Sequence, residues 1–314
     1  MKGRSQQMQK YLPEGMLIDT DENRNNLKNL ITLQESMANN KTLEAKAIIC
    51  DSEHNLVVDL GLIKGVIPRD EGALGVAEGT TKDIAIISRV NKPVCFKITG
   101  FSKDKNGNPY ALLSRRLAQL ECVENYVSSF NIGDIIGARA THFEPFGCFV
   151  DIGCGVPSLI PIDAISVSRI SHPSDRFFVG QDIKVIVKET CCNGKICLTH
   201  KELLGTWEQN SSQFNIGETV AGVVRSIEEY GIFVELAPNL AGLAELRDNV
   251  KVGQSASVYI KNLIPEKMKV KLIIVDSFDN DYKLPSYKYY VDAPYIDYWK
   301  YSPDCCDKLI ETVF

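Results

Sequence analysis

Ile132-Gly133-Asp134 opens a run that ends in Glu144-Pro145-Phe146-Gly147-Cys148-Phe149-Val150-Asp151. The same order returns 84 residues later, from Ile216-Gly217-Glu218 to Glu228-Glu229-Tyr230-Gly231-Ile232-Phe233-Val234-Glu235. Two further landmarks recur. Val179-Gly180-Gln181 reappears as Val252-Gly253-Gln254, and Lys195-Ile196-Cys197-Leu198 as Lys269-Val270-Lys271-Leu272, at offsets of 73 and 74. A weaker copy precedes both at an offset of 92, where Leu56-Val57-Val58-Asp59-Leu60-Gly61 mirrors Cys148 to Gly153. A chain that repeats itself at such a period is built from copies of one structural unit, so the fold must be read per repeat.

Each copy reads as β structure. Alternating β-branched positions such as Ile183, Val185 and Val187 are bounded by Gly, Asn, Asp and Pro, the pattern of short half-buried strands. Glycine in Phe146-Gly147 and Tyr230-Gly231 lets two strands join through a sharp turn or bulge. Several strands in about 70 residues favour a small closed barrel, because closure removes the exposed edges. The connections are helical in pattern. Ser114 can cap a helix carrying Leu117, Leu120, Val123 and Val127, and Thr199-His200-Lys201-Glu202 has capping-box spacing ahead of Leu203, Leu204 and Trp207. Before the first copy, Thr20-Asp21 starts a polar stretch with Leu27, Leu30, Ile31 and Met37 at helical spacing.

The succession of glycine, alternating strand, aromatic-Gly-x-Phe-Val, a Gly-Leu or Ser-Leu dipeptide, Val-Gly-Gln and Lys-x-x-Leu resembles the S1 domain. That is the RNA-binding OB-fold repeat named after the largest protein of the bacterial small ribosomal subunit. The junction phrases His172-Pro173-Ser174-Asp175-Arg176-Phe177 and Leu198 to Glu202 are similar to the same family, and the whole resembles a bacterial S1-like protein of clostridial type. The resemblance implies an all-β dominated chain of three tandem five-stranded OB barrels joined by α-helical linkers, with a helical N-terminus. The expected divisions are a helical segment at 1–41, a degenerate S1 domain at 42–116, a helical linker at 117–131, S1 domains at 132–204 and 216–276 separated by a linker at 205–215, and an aromatic-rich acidic tail at 277–314.

The resemblance also implies a site. Phe146 and Phe149, and Tyr230 and Phe233, occupy the family's stacking positions; Lys195 and Lys269 match its basic position before the last strand. Strand alternation can place His142, four residues before Phe146, on the same face; its match to a basic family position is inexact, and the competing use is a buried, satisfied histidine. Exposed aromatics stack bases without reading sequence, and a lysine can pair with a phosphate. The competing use of the aromatics is core packing, and of the lysines a solvated surface. The family's histidine is replaced by Pro161 and Glu245, and in the first copy the stacking pair becomes His54 and Val57. The first copy is therefore expected to be structural or protein-binding, the second the best RNA site and the third intermediate.

Other chemistry finds little support. Cys191, Cys192, Cys197 and His200, with Cys148 and Cys154, lack a second Cys-x-x-Cys knuckle to complete a zinc site, and buried thiols are expected instead. Cys305-Cys306 has only Lys308 beside it to activate a thiolate. No nucleophile triad, phosphate loop or His-Glu-x-x-His helix occurs, so no enzyme, cofactor or metal is expected. The tail holds seven of the 12 tyrosines but seven acidic residues against four lysines, which favours folding back over a barrel or docking on a protein rather than lying along RNA.

The composition is globular, 44% hydrophobic and 24% charged, with no run long enough to span a membrane and no apolar leader at Met1 to Gln7. A cytoplasmic protein is expected. Thirty-five Lys and Arg against 40 Asp and Glu give a net charge of -5, which excludes a binder held to nucleic acid by bulk charge. The second and third copies are nearly neutral, each with seven basic and eight acidic residues. The expected function is stacking-driven, sequence-tolerant holding of single-stranded RNA, with mRNA and the small ribosomal subunit as partners. The alternative is a protein adaptor in a ribonucleoprotein complex built on drifted barrels.

Overall fold

The computed structural model describes residues 11–190, 196–279 and 287–314. Three barrels dominate it. The first comprises β1 (Leu43–Cys50), β2 (Leu56–Asp59), β3 (Lys64–Ile67), β4 (Pro93–Lys103) and β5 (Pro109–Ser114). The second comprises β6 (Ile135–Glu144), β7 (Gly147–Asp151), β8 (Pro157–Pro161), β9 (Asp182–Thr190) and β10 (Ile196–Thr199). The third comprises β11 (Thr219–Glu228), β12 (Gly231–Ala237), β13 (Leu240–Ala244), β14 (Ser255–Ile264) and β15 (Lys269–Phe278). Each is a closed five-stranded barrel whose strands follow the order first-second-third-fifth-fourth, with the third and fifth in parallel. Alternation explains the closure: inward residues such as Val58, Ile67 and Leu113 in barrel 1, or Val234, Val258 and Leu272 in barrel 3, fill the interior.

Short helices accompany the barrels: α1 (Asp21–Asn26), α2 (Leu30–Ala38), α3 (Ile84–Ile87), α4 (Arg115–Asn125) and α5 (Trp207–Ser211). Ser114 caps α4, its hydroxyl accepting the Leu117 N–H at 2.9 Å. The expected N-terminal helix is instead two. Asn29 caps α2 by accepting the Thr32 N–H at 2.9 Å, which breaks the helix before Leu30 and turns Leu33 inward while Ile31 stays exposed. The helix expected after Thr199 is also divided. The Thr199 hydroxyl donates to Glu202 at 2.6 Å, residues 201–204 form only a 3-10 turn ending at Gly205 with φ 84°, and α5 restarts from a Thr206/Gln209 capping box.

The chain folds as two compact units. One runs to Phe130 and includes Asp151–Pro157; the other holds Asn131–Val150 and Ser158–Phe314. In the first, Arg115 is buried and forks onto Glu14 at 2.6 and 2.9 Å. In the second, Arg176 is wholly buried and forks onto Glu235 of β12 at 2.9 and 2.6 Å. The tail belongs to the second unit and folds back, as the acidic composition suggests. Trp299 and Tyr301 join the barrel 3 core cluster, and Tyr289, Val291, Ile296 and Phe314 cover Ile135, Ile186 and Leu203. A two-stranded ribbon of β16 (Tyr298–Lys300) and β17 (Glu311–Val313) finishes it.

Candidate nucleic-acid interface

Strand geometry sets the aromatic corner of barrel 2. A Cβ on Gly147 would lie 2.4 Å from the Ile160 carbonyl oxygen, and one on Gly231 2.5 Å from that of Ala244. Only glycine lets these strands cross so closely, and the residue before each glycine is thrust outward. Phe146 is 56% and Tyr230 70% exposed, so neither is core. Phe149 and Phe233 are half-buried on the outer face. Phe146 meets Phe149 edge-on at 6.0 Å and 83°, and Tyr230 meets Phe233 at 6.1 Å and 88°. The two corners are near copies of each other.

They differ in what covers the inner ring. His142 is exposed and lies flat on Phe149, with centroids 4.3 Å apart and planes within 5°. Barrel 3 holds Ser226 opposite Phe233, at the position 84 residues from His142. Barrel 2 thus presents a three-ring corner and barrel 3 a two-ring corner.

The basic positions follow from register. Phe233 pairs with Leu243, which pairs with Lys271. Directly opposed residues share a face, so Lys271 stands in line with Phe233 on the outside of barrel 3. Lys269, the residue that matches the family's basic position, is exposed two residues away on the same face. Lys271 is the second basic residue of the same Lys-x-Lys step, and the motif covers only the first lysine. In barrel 2, Leu159 pairs with Cys197, so a thiol occupies the place of Lys271. Lys195 lies outside the described residues, as do Cys191 and Cys192.

Cys148, Cys154 and His200 have structural surroundings. Cys148 is buried within barrel 2, where burial pushes its thiol up to about 12. Cys154 belongs to the first unit, beside the thiols of Cys95 and Cys122. Among the described residues no three His, Cys, Asp or Glu side chains are arranged to hold a metal ion. His200 is fully buried, with Nδ1 3.0 Å from the Ile165 carbonyl oxygen and its ring edge-on to Phe177, Tyr287 and Tyr289. Burial pushes its pKa down to about 4, so it is a neutral core residue at pH 7.

Closed five-stranded barrels in tandem, with an aromatic corner outside two of them, define an S1-like protein of OB-fold repeats. Residues 129–201 match the model of the S1 RNA binding domain. Over 266 residues the chain is 27% identical to the small ribosomal subunit protein bS1 of Staphylococcus aureus, which covers 79% of this chain and 65% of that protein. It is 28% identical over 261 residues to bS1 of Staphylococcus haemolyticus, covering 77% and 63% respectively. The small ribosomal subunit protein bS1 homolog of Bacillus subtilis is 27% identical over 237 residues, covering 73% and 58%. The chain therefore spans a little under two thirds of the length of these curated relatives. Among the described residues no helix is long and apolar enough to cross a membrane.

Proposed function

We propose that this chain holds single-stranded RNA, mRNA in particular, by stacking bases on the outer corners of barrels 2 and 3. It would act without catalysis, in the cytoplasm, in translation at the small ribosomal subunit. The observation that carries this reading is the outer ring set of exposed Phe146 and His142 around half-buried Phe149 on a barrel that matches an S1 RNA-binding domain. The similarity to the ribosomal proteins supports the setting. The S1-type units would be 42–116, 132–204 and 216–276, and the RNA contacts Phe146, Phe149, His142, Tyr230, Phe233, Lys269 and Lys195, joined by Lys271.

Such rings attract bases of any sequence, each stack being worth about 1 to 3 kcal/mol. The near-neutral repeats leave few cations to release counterions, and each phosphate contact on a single strand contributes a slope of about -0.7 in log affinity against log salt. The test is fluorescence anisotropy with labelled single-stranded RNA at several salt concentrations. A shallow salt slope is expected, with loss of at least about 30-fold in affinity when Phe146→Ala and Tyr230→Ala are combined. Affinity that survives both changes would overturn the stacking mechanism.

A further inference from the structure

Barrels 2 and 3 start their first strands alike. In barrel 2 the Gly133 N–H donates to the Val187 carbonyl at 2.8 Å, and the Val187 N–H to that of Asp134 at 2.9 Å. In barrel 3 the Gly217 N–H donates to the Ile260 carbonyl at 2.9 Å, and the Ile260 N–H to that of Glu218 at 2.8 Å. Bonding sides alternate along a strand, so the Ile135 and Thr219 N–H groups both point away from the fourth strand of their barrel. On barrel 2 the tail takes this edge. Ile135 donates to the Pro294 carbonyl and Ile296 to that of Gly133, each at 2.9 Å, with Asp134 bridged to Tyr295. Tyr289, Val291, Ile296 and Phe314 cover the outward pair Ile135 and Ile186, and Gly133, Asp134 and Ile135 are buried. Barrel 1 fills its own first-strand edge with a side chain: the Asn23 amide accepts the Glu44 N–H at 2.9 Å and donates to the Glu44 carbonyl at 2.7 Å.

Barrel 3 leaves the matching edge open. Gly217, Glu218 and Thr219 are all exposed, and β12 joins β11 only from Val223 onward. The outward pair here is Thr219 and Tyr259, continued across β15 by Ile273, and Tyr259 is 37% and Ile273 44% exposed. The chain's own tail is not free to fill this place. It is paired with barrel 2, and Tyr301 and Tyr287 tie it down by donating their hydroxyls to the carbonyls of buried Asn239 and Arg176. Arg176 is fixed in turn on Glu235, which Arg225 also holds at 2.9 Å. An exposed strand edge is a template for another strand. We propose that the Gly217–Thr219 edge and the Tyr259–Ile273 face dock an extended segment of a partner protein by strand addition. The chemistry of that segment follows from the one seated on barrel 2: a carbonyl and an N–H spaced as in Pro294 and Ile296, an aromatic and an aliphatic side chain, and an acidic flank like Asp297. Exposed Lys261, at the bulge after Tyr259, would meet the acid, while Glu218 is engaged by the Asn215 N–H at 3.0 Å. Main-chain bonds supply the affinity of such docking and side chains its selectivity. The site uses neither aromatic corner and does not depend on the RNA-binding reading.

The probe is a synthetic peptide with the sequence of residues 291–297, Val-Asp-Ala-Pro-Tyr-Ile-Asp, capped at both ends and titrated into the full chain up to about 1 mM. Amide hydrogen exchange reads where it sits. One peptide per chain is expected, with exchange slowed at 217–221 and unchanged at 133–135. Thr219→Pro removes the edge donor without touching the ladder to β14, and Tyr259→Ala strips the exposed face. Each should weaken the peptide about tenfold with an unchanged melting temperature, and a peptide with Ser in place of Tyr and Ile should fail to protect the edge. No protection at 217–221, faster exchange at 133–135 through displacement of the chain's own tail, or binding indifferent to Tyr259→Ala would overturn the inference. So would a loss of oligouridylate affinity on Tyr259→Ala with no peptide bound, which would give the face to RNA.

Discussion

Barrels 1 and 2 close in the same strand order but carry opposite outer faces. In barrel 1 the row Ile49, Val57, Val66 and Leu112 is in register across four strands and wholly aliphatic. In barrel 2 the position of Val57 is Phe149, stacked under His142 and flanked by Phe146. The residue in Phe146's place, His54, has φ 63° and reaches Asp83 at 3.2 Å, an acid that Arg69 also holds at 2.8 Å. Its ring nitrogen is held against the Asp83 carboxylate and, among the described residues, is not backed by a second aromatic ring of the kind that Phe149 gives His142. Inward positions decide closure and outward ones decide what can be bound. The two barrels keep the first set and differ in the second.

What the units share is tested by the largest effect. Each has a wholly or almost wholly buried Arg–Glu fork, Arg115–Glu14 and Arg176–Glu235. Removing one partner of a buried pair leaves a stranded charge and costs about 3 to 5 kcal/mol. Arg115→Ala and Arg176→Ala are expected to lose that much in chemical denaturation, each in its own unit. A loss under about 1 kcal/mol in either would show that the neighbouring Arg89 or Arg225 suffices.

Acid should separate the units next. His200, in the second, has a folded pKa of about 4, below its unfolded value near 6.5. The unfolded chain binds the proton first, so stability is fully present above the unfolded pKa and is lost as pH falls from about 6.5 to about 4. At about 1.4 kcal/mol per pH unit the loss approaches about 3 kcal/mol. Thermal melts at pH 7 and pH 4.5 check it, and His200→Phe should flatten the dependence.

Smaller again is the single ring. Phe146→Ala should cost RNA affinity about 1 to 3 kcal/mol, while His54→Ala in barrel 1 should leave it unchanged in anisotropy titrations. An equal loss from both would mean that barrel 1 binds by another route. The smallest effect is a gain. Ile49 pairs with Val57 as Ser226 does with Phe233, so Ile49→His with Val57→Phe rebuilds the stacked pair on barrel 1. A gain of roughly fivefold for a long strand corresponds to one added stack; no gain would show that the left-handed turn at His54 also matters.

Much of this was legible in the chain. The 84-residue repeat gave the barrels, and Phe146-Gly147 and Tyr230-Gly231 located both corners, because glycine at a close strand crossing forces its neighbour outward. Lys271 is not legible, because its alignment with Phe233 runs through Leu243 on a third strand. The helix expected after Thr199 is broken where Gly205 interrupts an otherwise helical pattern. Arg176 looked like a junction residue and proved to be a buried tie, since its partner Glu235 lies 59 residues away.

The sequence by itself determined the repeat, the strand periodicity and the location of the glycine corners, because these depend on local alternation and on glycine. Only the tertiary structure decided that His142 lies on Phe149, that Lys271 joins the row of Phe233, and that the tyrosine-rich tail clasps barrels 2 and 3. Those facts are set by pairings between distant strands and by the burial of Arg176, Asn239 and Tyr301, where an unpaired polar group would cost more than the ordering of the chain that satisfies it.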